Sequence, residues 1–221
     1  MNETQHPTPL PRIALLLKAP QSGMVKTRLA ATVGEANAVA IYRHLTEWQL
    51  RALPPDWPVT VYYDPPDRGA QVAQWLDSLH PGLHYGAQCP GDLGARLTAA
   101  FAAEFSHAPG PVFAIGGDCP GLDGMILESA AQAMKISEVV LGPAVDGGYY
   151  LIGLKAPQPD LFAGIAWSTP AVLGQTREKA RAAGLRASEL PVLEDVDDAG
   201  SWARVVNNRR ASGWAQVIHA A

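Results

Sequence analysis

The sequence has few cysteines, few charged side chains and no long apolar run near its start. Its 221 residues include only two cysteines, too few for a disulfide framework or a cysteine-based metal site. The 17 lysines and arginines are outnumbered by 21 aspartates and glutamates, and the net charge of −4 argues against a nucleic-acid or anionic-membrane partner. The first apolar run, at 13–17, is far too short to span a bilayer. The opening residues are polar and lack the basic start of a secretory signal, so we expect a cytoplasmic protein.

The residues that are abundant indicate one well-ordered domain. Hydrophobic residues make up 48% of the chain, enough to build a large core. We expect a flexible N-terminal tail at 1–11 and a single domain over 12–221, along which strand-like and helix-like patterns alternate. The predicted strands are 13–17, 58–63, 83–87, 111–115, 139–144, 148–154 and 185–190, and the predicted helices are 36–52, 69–79, 92–105, 123–134 and 169–183, with a last helix after the acidic loop near 195.

This alternation predicts an α/β fold with a mainly parallel sheet and helices on both faces. One stretch differs, because the tight Asp146–Gly147 turn requires the strands on either side of it to be antiparallel. In an open α/β sheet, ligands bind at the carboxyl ends of the strands. The charged residues that follow such ends are Lys26, Arg28, Asp92, Arg96, Asp118 and Asp146. We therefore expect the functional site at that edge.

The stretch "LLLKAPQSGMVKTRL", at 15–29, runs from a buried strand into a loop with a basic cluster. Gly23 would let the backbone approach an anion closely, and Lys26 and Arg28 would supply charge-assisted hydrogen bonds to phosphates. The spacing is neither that of a Walker A loop nor that of a dinucleotide-binding fingerprint. A solvated basic turn before a helix is the alternative.

Two acidic segments are candidates for a metal site. Asp118 follows a buried strand in "AIGGDCP", where a carboxylate suits Mg²⁺ bound to substrate phosphates. In "EDVDDAG", Asp195 and Asp197 point the same way if the segment is extended, so they could complete the site. The alternatives are a turn aspartate for Asp118, and for the later segment solvated carboxylates with Asp198 as a helix N-cap.

Two further segments have structural explanations as well as functional ones. Asp146 follows a predicted strand at the same edge of the sheet, but Asp-Gly is also the preferred two-residue hairpin turn. Tyr149 and Tyr150 alternate across a strand, so one is expected to pack and the other could line a pocket. Packing and capping are enough to explain Trp167 and Ser168.

Taken together, the motifs resemble a known family. "KAP-x-x-G-x-x-KTRL", "GDLGARL", "GGDCPGL", "GPAVDGGYYLIGL" and "WSTP" are similar to motifs of uncharacterised bacterial GT-A-fold proteins, commonly called glycosyltransferases. That family distantly resembles 2-phospho-L-lactate guanylyltransferase and molybdenum-cofactor guanylyltransferase. The resemblance covers about 12–205 and implies a three-layer α/β/α sandwich of the nucleotide-diphospho-sugar transferase type.

The resemblance also implies roles for individual residues. Lys26, Arg28 and Asp146 would be catalytic, and Asp118 with Asp195 or Asp197 would bind Mg²⁺ or Mn²⁺. The implied nucleotide-binding residues are Ala19, Pro20, Gly23, Lys26, Arg28, Gly91, Asp92, Gly94 and Arg96. Relatives tend to continue the late acidic motif with Thr-Pro-Glu-Asp, whereas this chain continues with "DAGS" at 198–201, so the choice of late ligand stays open.

The function implied is a Mg²⁺-dependent transferase that uses a nucleotide or nucleotide sugar as donor and an unknown small molecule as acceptor. Two alternatives stay open, a nucleotidyltransferase that releases pyrophosphate and a non-catalytic nucleotide-binding protein. An ionised acceptor phosphate needs no general base, whereas a neutral hydroxyl needs a carboxylate such as Asp146. No nucleic-acid or membrane partner is expected, and homo-oligomerisation is left open.

Overall fold

The computed structural model describes residues 9–208. Its strands are β1 (Arg12–Lys18), β2 (Val59–Asp64), β3 (His84–Ala87), β4 (Val112–Ile115), β5 (Val139–Pro143), β6 (Tyr149–Leu154) and β7 (Ala187–Glu189). Its α-helices are α1 (Thr27–Val33), α2 (Glu35–Ala52), α3 (Gly69–Leu76), α4 (Leu93–His107), α5 (Gly124–Ala133), α6 (Val172–Ala182) and α7 (Ala199–Asn208). The expected tail at 1–11 and the end of the expected domain lie largely outside the described residues.

The seven strands form one sheet in the order β3-β2-β1-β4-β6-β5-β7. Strand β6 is antiparallel to both β4 and β5, and the other pairs are parallel. The predicted hairpin is therefore confirmed, with Leu141 opposite Ile152 in its register. The mainly parallel sheet predicted from the sequence is confirmed as well.

The core lies on both faces of the sheet, as the continuous apolar sequence of β1 predicts. Ile13, Leu15 and Leu17 pack on one face with residues of α2, α3 and α5. Ala14 packs on the other face with residues of α4 and α6. This arrangement gives the expected three layers, helices on either side of a central sheet.

One helix was missed by the sequence analysis, and it carries part of the basic cluster. The segment Thr27–Val33 is helical, where a loop was expected up to residue 36. Its N-cap, Lys26, offers no side-chain cap, so the start of the helix carries no capping signal. Gly34, at φ +85°, ends the helix and separates it from α2. Leu29 on this helix packs with Leu45 of α2 and Trp202 of α7, which fixes the helix to the body of the domain.

The topology brings the carboxyl ends of β1, β2 and β4 to one edge of the sheet. Since β4 lies directly beside β1, the segments that follow these two strands are neighbours in space. Over residues 9–208, none of the helices combines the length and the apolar character needed to cross a membrane.

Candidate active site

A cleft of about 740 Å³ opens at this edge of the sheet. Residues from the segments after β1, β2, β3 and β4 and from the late acidic loop line it. The polar lining residues include Lys18, Lys26, Arg28, Asp64, Gln88, Arg96, Asp118, Ser168 and Asp197. Six of the sequence-predicted site residues thus lie around one cleft, namely Lys26, Arg28, Gly91, Arg96, Asp118 and Asp197.

Lys26 lies between two of the predicted metal ligands. Its Nζ is 2.6 Å from Oδ2 of Asp118 and 2.7 Å from Oδ1 of Asp197, and its side chain is only 6% exposed. Burial by itself lowers the pKa of Lys26, but the charges and hydrogen bonds of the two carboxylates outweigh it and raise the pKa above its ordinary value. Lys26 is therefore a fully charged cation in a carboxylate site.

The backbone of Lys26 is unusual. Lys26 has φ +48° and ψ 45°, the left-handed region that a non-glycine residue seldom occupies. Ser168 is another non-glycine residue with positive φ, at +62°, and it lines the same cleft. Backbone strain of this kind tends to collect at functional sites.

Asp195 lies in the same acidic loop and is more deeply buried. Burial, followed by the negative charge of Asp118, raises the pKa of the Asp195 carboxyl to about 8. Its Oδ1 is buried and finds no hydrogen-bond partner within residues 9–208. The thiol of Cys119 neighbours this carboxyl. Burial, followed by the negative charge of Asp195, raises the pKa of the thiol. A buried carboxylate oxygen without a donor suits a cation.

The late loop is tied to the Asp118 loop by its backbone. The Val196 amide donates to the Asp118 carbonyl oxygen at 3.0 Å. The two loops therefore lie side by side, and Lys26 contacts a carboxylate from each, Asp118 from one and Asp197 from the other. In the part of the chain that the structure describes, however, His, Cys, Asp and Glu side chains form no group of three or more arranged to hold a metal ion.

Asp198 has the structural role that the sequence analysis left open for it. Its Oδ1 accepts from the Ser201 amide at 2.8 Å at the start of α7, so it is the N-cap of that helix. These hydrogen bonds from Ser201 lower the pKa of the Asp198 carboxyl. Arg28, which is 73% exposed, lies 3.4 Å from Asp198 and extends towards solvent beside the cleft. Glu194 pairs with Arg204 at 2.6 Å.

Arg96 is held at the other end of the cleft by residues that the sequence analysis missed. Its Nη1 donates to Asp64 Oδ2 at 3.2 Å and to Gln88 Oε1 at 3.1 Å, and its Nε donates to the Gly91 carbonyl at 3.3 Å. Gln88 Nε2 in turn donates to the backbone of Leu17 and of Tyr62. Asp64 ends β2 and Gln88 follows β3, so the rule that drew attention to Asp118 would have found both.

Other predicted nucleotide-binding residues have structural roles outside the lining of this cleft. Asp92 is the N-cap of α4, accepting from the Ala95 amide at 2.8 Å. Ala19 and Pro20 are buried, and Gly23 has φ +72° in the turn before Met24. Gly94 lies against Trp167, since a Cβ added there would be 2.8 Å from Trp167 Nε1 and 2.7 Å from the carbonyl oxygen of Phe162.

A second cavity of about 510 Å³ adjoins the cleft. It shares Arg28, Leu93, Ser168 and Asp197 with the cleft and is also lined by Asp146, Tyr149, Trp167, Thr169 and Asp195. Tyr149 and Trp167 meet edge to face, with ring centroids 6.4 Å apart. Trp167 Nε1 is buried and, as far as the described chain extends, has no hydrogen-bond partner.

The residues at the hairpin behave as the sequence suggested. Asp146 Oδ1 accepts from the Gly148 amide at 2.8 Å, which is the expected turn contact, while Asp146 remains exposed at the cavity. Tyr150 is buried and donates to the Pro191 carbonyl at 3.0 Å, so it is the packed tyrosine of the pair. Tyr149 is the one that lines the cavity.

Comparison with solved structures gives the same fold. A protein provisionally named nucleotide-diphospho-sugar transferase from Desulfovibrio desulfuricans G20 is 32% identical, with a TM-score of 0.84 over 92% of this chain and 89% of that one. 4-Diphosphocytidyl-2C-methyl-D-erythritol synthase from Anaerococcus prevotii DSM 20548 shares the fold at 8% identity, with a TM-score of 0.58 over 90% of this chain and 96% of the other. Rv0371c from Mycobacterium tuberculosis H37Rv, solved in complex with manganese, has a TM-score of 0.54 and 15% identity over 90% and 99% of the two chains.

The family comparison agrees. A search of curated proteins gives no significant match. The profile of a family described as uncharacterized proteins conserved in bacteria (DUF2064) matches residues 49–169, more than half of the chain. This match, together with the extent of the likeness to the Desulfovibrio structure, shows that the chain belongs to the DUF2064 family and has the nucleotide-diphospho-sugar transferase fold that its motifs predicted.

Proposed function

We propose that the chain is a transferase that binds a nucleotide or a nucleotide sugar together with a divalent cation. The observation that carries the proposal is the meeting of Lys26 with Asp118 and Asp197, at 2.6 and 2.7 Å, in the wall of the main cleft. At about 740 Å³, this cleft is in the usual size range of small-molecule sites. Its mixture of cations and carboxylates suits a metal-bound diphosphate.

Asp118, Asp195 and Asp197 are the proposed ligands of Mg²⁺ or Mn²⁺. The unpartnered Oδ1 of Asp195 supports this choice, because a buried carboxylate oxygen is costly unless a donor or cation meets it. When bound, the ion would neutralise and orient the diphosphate of the donor. Lys26 now bonds to two of these carboxylates, so we propose that its ammonium group turns from them to the donor phosphates when the site is loaded.

The donor would lie along the main cleft. Arg28, on the first turn of α1 and mostly exposed, is free to move towards a phosphate and would share that role with Lys26. Arg96 with Asp64 and Gln88 would contact the nucleoside end, since these three polar side chains are held together at the far side of the same cleft. Gly91 accepts from Arg96 and keeps it in place.

The acceptor would bind in the second cavity. Asp146 faces it with one carboxylate oxygen held by the hairpin turn, so Asp146 is the proposed base. In glycosyl transfer, an acceptor hydroxyl attacks the sugar carbon, Asp146 takes the hydroxyl proton, and the nucleoside diphosphate leaves. The Asp146 carboxylate lines this cavity, and a negative charge beside the acceptor favours an uncharged hydroxyl group over a phosphate.

Nucleotidyl transfer is the second candidate. A phosphate acceptor would attack the α-phosphorus of a nucleoside triphosphate and release pyrophosphate, with no general base required. The supporting observation is the likeness in fold to a diphosphocytidyl-methylerythritol synthase and to an inositol-1-phosphate CTP transferase. A protein that binds nucleotides without turnover is the remaining alternative.

Thermal-shift measurements with nucleotides and nucleotide sugars, each with and without Mn²⁺ or Mg²⁺, test the proposal. A ligand that binds only the folded state raises the melting temperature, and we expect such a rise for a donor only when the metal is present. The donor that stabilises the protein is then incubated with a panel of hydroxyl and phosphate acceptors. Release of a nucleoside diphosphate indicates glycosyl transfer, and release of pyrophosphate indicates nucleotidyl transfer. If every nucleotide leaves the melting temperature unchanged with both metals, the proposal is wrong.

A further inference from the structure

Helix α2 carries two fully buried polar side chains on its sheet-facing side. Thr46 is 0% and Gln49 is 1% exposed, and neither belongs to the site residues considered so far. Three positions apart, they lie on the same face of the helix. Burying hydroxyl and amide groups costs free energy unless they form hydrogen bonds, so their partners indicate why they are there.

Those partners belong to a single short loop, the one that carries Asp118. Gln49 Nε2 donates to the Gly116 carbonyl at 2.5 Å, and Gln49 Oε1 accepts from the Cys119 amide at 3.1 Å. Thr46 Oγ1 lies 3.0 Å from the Gly117 carbonyl. Two side chains therefore hold backbone groups on both sides of Asp118.

The loop also lies directly against the helix. A Cβ added to Gly117 would be 3.1 Å from Thr46 Oγ1, so the backbone approaches as closely as a glycine allows. On its other side the loop meets the late acidic loop, where the Val196 amide donates to Asp118 at 3.0 Å. The backbone around Asp118 is thus held by side chains of α2 on one side and contacted by the late acidic loop on the other.

We infer that Thr46 and Gln49 are positioning residues, which hold the Gly116–Cys119 backbone so that the Asp118 carboxylate meets its cation at a fixed place. Both act through the loop. The inference about metal affinity rests on the proposed function, whereas the hold on the backbone is independent of it.

The test compares variants of Thr46 and Gln49 with a matched control at another buried threonine. Thr46→Val and Gln49→Met remove the hydrogen bonds to the loop and keep similar volume. Thr176→Val on α6 is the control. Thr176 is also 0% exposed, and its hydroxyl donates to the carbonyl four residues earlier, as that of Thr46 does to Tyr42. Its hydrogen bond lies within α6 and does not involve the Asp118 loop. Thr46→Ser keeps the hydroxyl and is the conservative variant.

The first readout is the affinity for Mn²⁺ by titration calorimetry. We expect Thr46→Val and Gln49→Met to bind Mn²⁺ about 10–100-fold more weakly, the usual effect of losing groups that orient metal ligands. Thr176→Val and Thr46→Ser should bind it like the wild type. Equal affinities for Thr46→Val, Gln49→Met and Thr176→Val would overturn the inference, even where their melting temperatures fall alike.

The second readout needs no metal. The rate of amide hydrogen exchange at Val196 reports on its hydrogen bond to the Asp118 carbonyl oxygen. Val196 is not bonded to Thr46 or Gln49, so a change in this rate has to come through the loop. We expect this amide to exchange at least about tenfold faster in Gln49→Met than in Thr176→Val, because its acceptor becomes mobile. Unchanged exchange at Val196 would refute the positioning role. If the wild type binds no Mn²⁺ while the exchange result holds, the proposed function fails and the positioning role stands.

Discussion

The ammonium group of Lys26 lies 2.6 Å from a carboxylate oxygen of Asp118, although the two residues are 92 positions apart in the chain. A second carboxylate oxygen, Oδ1 of Asp197, lies 2.7 Å from the same nitrogen. A buried ammonium group between two carboxylates supplies one of the two positive charges that a divalent metal would bring to the same place. Lys26 would therefore compete with the proposed metal ion for the same oxygens.

Replacing Lys26 with methionine should separate its two proposed roles. In Lys26→Met we expect Mn²⁺ alone to bind about tenfold more tightly, since the competing ammonium group is gone. The same variant should bind a nucleoside triphosphate about tenfold more weakly in the presence of Mn²⁺, because a charge-assisted contact to phosphate is lost. Titration calorimetry with metal alone and then with nucleotide measures both.

The matched control for this change is Lys135→Met, at an exposed position beyond α5. It should leave both affinities at their wild-type values. An unchanged affinity for Mn²⁺ alone in Lys26→Met would show that the lysine does not occupy the metal position.

Asp118→Asn should abolish the metal-dependent part of nucleotide binding. The amide keeps the shape of the side chain but removes the negative charge that attracts the cation. We expect the rise in melting temperature caused by nucleotide with Mg²⁺ to fall to the value seen without Mg²⁺. Asp160→Asn, at an exposed position of a 3₁₀ helix, is the control and should behave like the wild type. A full Mg²⁺-dependent rise in Asp118→Asn would remove Asp118 from the proposed ligands.

Two glycine-to-alanine changes should have opposite effects on stability. At Gly94 a Cβ would come within 2.7 Å of the Phe162 carbonyl and 2.8 Å of Trp167 Nε1, so Gly94→Ala must displace the wall of the second cavity. We expect a loss of about 1–3 kcal/mol in the free energy of unfolding. At Gly174 in α6 a Cβ meets nothing within 4 Å, so Gly174→Ala should gain about 0.5–1 kcal/mol. Urea unfolding measures both, and equal effects would contradict the close packing at Gly94.

The ion pair between Glu138 and Arg186 should make stability depend on pH at the acidic end. Hydrogen bonds from Arg186 lower the pKa of the Glu138 carboxyl from 4.5 to about 2. Its contribution is therefore present above about pH 4.5 and is lost as the pH falls towards 2. Glu138→Gln should lower the melting temperature at pH 6 by a few degrees at most, because the pair is exposed, and this deficit should shrink on acidification. Glu128→Gln on α5 is the control, and a deficit that grows on acidification would contradict the assignment.

Several features could be predicted because they depend on neighbours in sequence. Asp198 caps α7 through the Ser201 amide three positions ahead, one of the alternatives its sequence offered, and the Asp146–Gly147 turn sets the β5–β6 register. The unbroken apolar sequence of β1 predicted a strand covered on both faces, and the structure confirms it. The same logic missed α1, because Lys26 gives no capping signal and its helix is held by packing against α2 and α7.

The sequence by itself therefore determined the alternation of strands and helices, the hairpin, the Asp198 cap and the edge at which charged residues would gather. Only the tertiary structure decided that Lys26 bonds to Asp118 and to Asp197, which is 171 positions away, and that Asp64 and Gln88 hold Arg96. It also decided that Thr46 and Gln49 support the Asp118 loop. The physical reason is that caps and turns form between residues a few positions apart, whereas these contacts exist only once the sheet is assembled. The pairing of β4 with β1 brings the Asp118 loop to the Lys26 segment, and the pairing of β3 with β2 brings Gln88 to Asp64.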